Sequence, residues 1–230
     1  MPLVPVRLLL VEGQEDARVI PELIESASGL PWGQDETSWM ATIKVALGKD
    51  RGRPREPGGN KKLLERGYIA TEYKTARLQA LGVILDADED PAGRWQALCN
   101  CDLPFAAELP EEPPKDGLVL QPKAGGPRFG AWLMPDNRAL GMLETFLLTL
   151  RPDGPDPALW QWADEVVKQA QTNGAPFRPT HHDKARVHTF LAWQDPPGRQ
   201  LHQAIQQRFL DPRSAAAAPF VDWFRRLFRV

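Results

Sequence analysis

The sequence predicts an α/β fold, a mostly parallel sheet flanked by helices and followed by an all-helical C-terminal extension. Three observations carry that prediction. Short apolar runs at residues 6–11 and 82–85 end abruptly in acidic residues, as buried strands do on leaving a sheet. Stretches with the three-to-four-residue apolar spacing of helices separate them. Beyond Pro155 only the helical spacing remains. The expected organisation is an α/β core over residues 1–150 and a helical extension over 151–230 that packs on it.

Residues 6–11, Val-Arg-Leu-Leu-Leu-Val, form the first expected strand, broken by Glu12-Gly13-Gln14-Glu15-Asp16. Over 17–28, Val19, Ile20, Leu23, Ile24 and Ala27 make one apolar helix face, and the acids at its start suit the positive end of the helix dipole. Alternation around Met40, Ile43 and Val45 predicts a second strand over 37–47. Residues 48–62 hold two prolines, four glycines and six basic residues against two acidic ones, the composition of an exposed loop. Helical spacing returns over 62–80, and 82–85 is a second short buried strand that runs into Asp86-Ala87-Asp88-Glu89-Asp90. Pro91 suits a first helical turn, which Trp95, Leu98 and Cys99 continue as far as Pro104. After a Pro- and acid-rich connection, 117–120 and 129–134 read as neighbouring strands. Pro135-Asp136-Asn137 then makes a turn, and helices are expected over 140–150, 157–171, 182–193, 200–209 and 220–228.

Composition narrows the functional classes. With 28 Lys and Arg against 30 Asp and Glu the net charge is −2, so there is no global basic field and any polyanion contact must be local. No apolar stretch approaches the roughly 18 residues that cross a bilayer, and the start lacks a basic segment and a small-residue cleavage site. A cytoplasmic location without membrane contact is therefore expected. Cys99 and Cys101, the two cysteines, are too close in sequence for an ordinary staple and read as semi-buried thiols in a helix.

In open α/β sheets ligands bind outside the carboxyl ends of the strands, and two expected strands end there in acids, Glu12 after one and Asp86 and Asp88 after the other. Extended chain points alternate side chains the same way, so Asp86 and Asp88 would share a face, with Asp90 continuing the register. Hard cations such as Mg²⁺ take oxygen ligands. Carboxylates crowded together without one repel, and some must bind protons. The alternative is that Glu15, Asp16, Glu89 and Asp90 simply favour helix starts.

The wording of these motifs, Leu10-Val11-Glu12-Gly13-x-x-Asp16 and Gly82-Val83-Ile84-Leu85-Asp86-Ala87-Asp88, resembles the Toprim domain, and most closely the small bacterial Toprim-like proteins related to OLD-family nucleases. A third block, Met134-Pro135-Asp136-Asn137 with Gly141 and Glu144, is similar to one that follows the D-x-D in that group, and 184–193 resembles its helical tail. The motifs lie within residues 6–150. The resemblance implies a Toprim-like sheet and a Mg²⁺- or Mn²⁺-dependent acid cluster acting on the phosphodiesters of DNA or RNA. Glu12 would be a metal ligand or general base, Asp86 and Asp88 metal ligands, and Asp16, Asp90 and Glu144 candidates for a second metal. Two metals about 4 Å apart can activate a water and stabilise the leaving oxygen. The resemblance also suggests a role in anti-phage defence. The alternative is a non-catalytic Toprim-fold subunit of an ATPase complex.

Lys49, Arg51, Arg53, Arg55, Lys61 and Lys62 in the basic loop are candidates for nucleic-acid phosphate contacts, with a merely solvated loop the alternative. Lys44 and Lys184 are candidates to stabilise transition-state charge. His181, His182, His188 and His202 lack the i, i+4 spacing of a helical metal pair and read as cap or surface residues. Trp160, Trp162, Trp193 and Trp223 are expected to pack the tail onto the core. No phosphate-binding P-loop is present, so any ATP hydrolysis would come from a separate ATPase partner.

Overall fold

Both faces of the central strands are apolar because both are covered. The structure, a computed structural model, describes residues 6–29, 32, 41–46, 62–152 and 157–230. Strands β1 (Val6–Val11), β2 (Thr42–Val45), β3 (Leu78–Asp86), β4 (Leu118–Leu120) and β5 (Arg128–Met134) form one sheet in the order β2-β1-β3-β5-β4. All neighbours run parallel except β4 and β5, which are antiparallel. The fold is thus α/β with a five-stranded, mostly parallel sheet flanked by helices.

Alternate residues feed two cores. Leu9, Val11, Ala80, Ile84, Trp132 and Met134 pack on one side with α1 (Gln14–Ser28) and the later helices. Leu8, Leu10, Leu81, Val83, Leu85 and Leu133 pack on the other with α2 (Tyr68–Tyr73) and α3 (Pro91–Cys99). The remaining helices are α4 (Leu143–Thr149), α5 (Pro157–Thr172), α6 (His182–Ala192), α7 (Leu201–Gln206) and α8 (Ala218–Phe228). The α8 helix lies on the first face, burying Phe220, Trp223, Phe224, Leu227 and Phe228. It approaches closely where Gly82 of β3 pairs with Gly130 of β5. A Cβ on Gly130 would stand 2.6 Å from the Leu227 side chain. The Trp223 indole N–H donates to the Leu118 carbonyl over 2.9 Å, tying the tail to edge strand β4. Trp223→Ala is expected to cost about 3–5 kcal/mol, measured as a lower urea midpoint at unchanged slope.

Several expectations change. Helical spacing over 62–80 gives way to the short α2, and β3 begins at Leu78 rather than at Gly82. A short apolar run fits either period, and pairing of Val6 with Leu78 and of Arg7 with Ala80 decides for strand. Cys99 ends α3, while the buried Cys101 lies beyond it. Trp160 stacks on Phe190 with ring centroids 3.6 Å apart, but Trp162 and Trp193 are exposed and pack nothing onto the core. Among the described residues no helix is long and apolar enough to cross a membrane. Lys49, Arg51, Arg53, Arg55 and Lys61 lie outside the described residues, as does most of the expected basic loop. Lys62 pairs with Glu65 and lies 5.3 Å from the Tyr68 ring.

Candidate functional site

The parallel register of β1 and β3, in which Leu10 pairs with Val83, brings the carboxyl ends of the two strands together. Glu12, the residue after β1, therefore meets Asp86, the last of β3: its Oε1 accepts the Asp86 backbone N–H over 3.0 Å. Asp16 stands in the first turn of α1, where its Oδ2 accepts the Gly13 N–H over 2.9 Å. Asp86 reaches the other way, its Oδ1 accepting the Leu143 N–H over 3.0 Å at the start of α4. The next residue, Glu144, is 3% exposed. Four carboxylates, buried Glu12, Asp16 and Glu144 and half-buried Asp86, thus meet at the C-terminal edge of the sheet, the usual ligand position in this class of fold.

Burial dominates their electrostatics. It pushes Glu12 up to about 8, with Asp16 and Asp88 adding to the rise and the Asp86 N–H and Arg94 opposing it. Asp16 is raised to about 7, by burial first and then by Glu144, against the Gly13 N–H and Lys184. Asp86 is raised well above the ordinary range by burial and by Asp16, Glu12, Glu144 and Asp88. Lys184 of α6 closes the group from the tail, its Nζ 2.9 Å from Glu144 Oε1. Burial lowers its pKa, yet Glu144, Asp86 and Asp16 outweigh that and the net shift is upward.

Asp88 does not present itself by strand register, as an extended D-x-D would. The chain leaves β3 at Asp86, and Asp88 takes a left-handed backbone with φ of 50°, which aspartate tolerates better than most residues. Its N–H donates to the Gly141 carbonyl over 2.7 Å and its carbonyl accepts the Gly141 N–H over 2.8 Å. Gly141 itself has φ of 131°, and a Cβ there would stand 2.5 Å from Thr145 Oγ1. The Asp88 carboxylate pairs with Arg94 on α3, a partner that no period or motif in the sequence announces.

Asp90 does not join the acids. It is exposed, and its Oδ1 accepts the Gly93 N–H over 2.8 Å as the cap of α3, the helix-start role weighed for it. Asp136 is a turn residue accepting from the Arg138 and Ala139 N–H groups, and the buried Asn137 braces the same turn by accepting from Leu133. Lys44 pairs with Glu72, an exposed contact on β2 rather than part of the cluster. His182 bridges Asp164 and Gln171 between α5 and α6.

All the donors in the cluster are carboxylate oxygens, the chemistry that hard divalent cations select. One oxygen of Glu12, Asp16 and Asp86 holds a backbone N–H, and one of Glu144 holds Lys184. The second oxygens of Glu12, Asp86 and Glu144 make no hydrogen bond to a described residue. With the side chains so arranged, no group of three among the described residues is set as a finished metal site.

No curated protein and no solved structure matches the chain. A family profile described as "Protein of unknown function (DUF3226)" matches residues 6–229. That match runs from β1 to the end of α8 and takes in every carboxylate of the cluster and Lys184, so the chain belongs to the DUF3226 family.

Proposed function

We propose that this protein is a divalent-cation-dependent nuclease, a Toprim-like enzyme akin to OLD nucleases that cleaves phosphodiester bonds in DNA or RNA. The observation that carries this reading is the meeting of buried Glu12, Asp16 and Glu144 with half-buried Asp86 in one cluster with few positive charges to offset them. Carboxylates kept together at such cost to their ionised forms are most simply explained by a cation that compensates them. The motif wording around Glu12, Asp86 and Asp88 supports the same reading. An anti-phage effector working with a separate ATPase is the setting that resemblance suggests.

A divalent ion bound there would polarise the phosphate and lower the pKa of an attacking water. Glu12, Asp86 and Asp88 would hold it, with Mg²⁺ or Mn²⁺ the ions expected. Asp16 and Glu144 are the carboxylates that remain for a second ion. Lys184 would counter the negative charge that builds on the phosphate oxygens. The test incubates purified protein with labelled single- and double-stranded DNA and RNA, with Mn²⁺ or with EDTA. Cleavage is expected only with the cation, and cleavage unchanged by substitution of Glu12 and of Asp86 would end this reading, as the pattern a contaminating nuclease gives.

One observation favours a second reading, a cation-binding subunit that cuts nothing. The ion pair between Glu144 and Lys184 occupies a carboxylate that a second ion would need. Titration calorimetry with Mn²⁺ separates the two. Two binding sites are expected for the nuclease, whereas one site or none, with no cleavage, fits the subunit.

A further inference from the structure

Beside the acid cluster runs a cleft of about 560 Å³, walled on one side by Asp88, Glu89, Asp90 and Arg94 and on the other by Arg178 and His181. The two walls come from distant parts of the chain, the β3–α3 connection and the turn leading into α6. The α6 helix that follows this turn carries Lys184, the partner of Glu144. Arg178 is exposed, and its Nη2 lies 3.1 Å from His181 Nε2, with no carboxylate pairing to it among the described residues. Arg94 is held differently, by the Asp88 carboxylate.

Resting on the cation-site reading above, we infer that this cleft receives a phosphodiester of the nucleic-acid strand between Arg94 and Arg178, and that Arg94 turns to it when a divalent cation takes Asp88. The guanidinium is in this sense a stand-in for the ion. It satisfies Asp88 while no cation is bound, and its planar fork suits a phosphate once released. The acids in the wall sharpen the expectation. Asp90 is committed to capping α3, but the carboxylates of Glu89 and Asp88 in the same wall would repel a polyanion, so strand binding needs the cation as well as the arginines.

The experiment measures binding, not turnover. Fluorescence anisotropy follows a labelled single-stranded DNA oligonucleotide with the full-length protein in Ca²⁺ or in EDTA, and calorimetry follows Mn²⁺ alone. Wild type is expected to bind the strand only with the cation. Arg178→Ala and Arg94→Ala should each weaken that binding about tenfold, with a salt slope smaller by about one. Arg94→Ala should at the same time bind Mn²⁺ several-fold more tightly, because the Arg94 guanidinium no longer competes with the ion for the Asp88 carboxylate. A merely structural arginine would lower both affinities. Arg94→Lys, which keeps the charge without the fork, should leave Mn²⁺ affinity near wild type yet bind the strand less well, and melting curves would show that each variant is folded.

Strand binding unchanged in both alanine variants would overturn the inference, as would weaker Mn²⁺ binding in folded Arg94→Ala. A mononucleotide that binds as tightly as the strand would reassign the cleft to a small phosphate and overturn its nucleic-acid part. The outcomes also part this inference from the nuclease reading. Cleavage with unaffected arginine variants removes the cleft alone, and no cleavage with both arginine effects present removes the nuclease alone.

Discussion

Asp86→Asn and Glu12→Gln are each expected to reduce cation-dependent cleavage about a thousandfold or more while making the cation-free protein more stable. The two effects share one cause. Each carboxylate is largely withdrawn from water, and that desolvation disfavours its charge more strongly than any nearby group favours it. The amide isosteres keep the structural bonds, since an Asn oxygen at 86 can still accept the Leu143 N–H and a Gln oxygen at 12 the Asp86 N–H. They remove the buried charge and with it the cation's ligand. Stability at pH 8 in EDTA should rise by on the order of a few kcal/mol, the trade between activity and stability common at such sites. Cleavage assays beside urea denaturation of the same preparations check both halves. A variant that loses cleavage and also loses stability would show the carboxylate to be a structural element rather than a ligand.

The cation-free wild-type protein is expected to lose stability as the pH rises from about 5 to about 8. Glu12 is raised to about 8 from an ordinary value of 4.5, and Asp16 to about 7 from 3.8. Between those limits the folded protein holds protons that the unfolded chain has already released. Raising the pH therefore favours the unfolded chain, and the loss is complete only above the folded values. The window opens near the ordinary carboxylate range and closes near pH 8. Mn²⁺ should flatten or reverse the trend, because a bound ion takes the place of the protons and binds better as they leave. Melting temperatures across that range, with EDTA and with Mn²⁺, test it. A cation-free melting temperature that climbs between pH 5 and pH 8 would contradict it. In Glu12→Gln the slope should be shallower, which assigns part of the effect to one side chain.

How far the chain could be read before folding depends on the range of the physics involved. Strand and helix follow from spacing over a few residues, so the buried run at 6–11, the helices of the tail and the α/β class were all legible. A boundary such as the start of β3 at Leu78 was not, because Ala76 and Leu78 fit a helix until pairing with β1 is known. Acids at strand ends were visible as a motif, since Glu12 and Asp86 stand directly after apolar runs. Their partners were harder to see. Asp90 looks like a continuation of the D-x-D, yet a helix starting at Pro91 claims its side chain as a cap.

Identity and order of residues were enough to nominate Glu12, Asp86 and Asp88, and the resemblance added Asp16, Asp90 and Glu144. Packing across the chain put Glu144 beside Lys184, turned Asp88 into a left-handed bend braced by Gly141, and paired it with Arg94. No local pattern encodes those meetings. Which side chains share a buried space is fixed by strand register and by where α4 and α6 come to rest, and that burial, rather than residue type, sets the charge behaviour of the cluster.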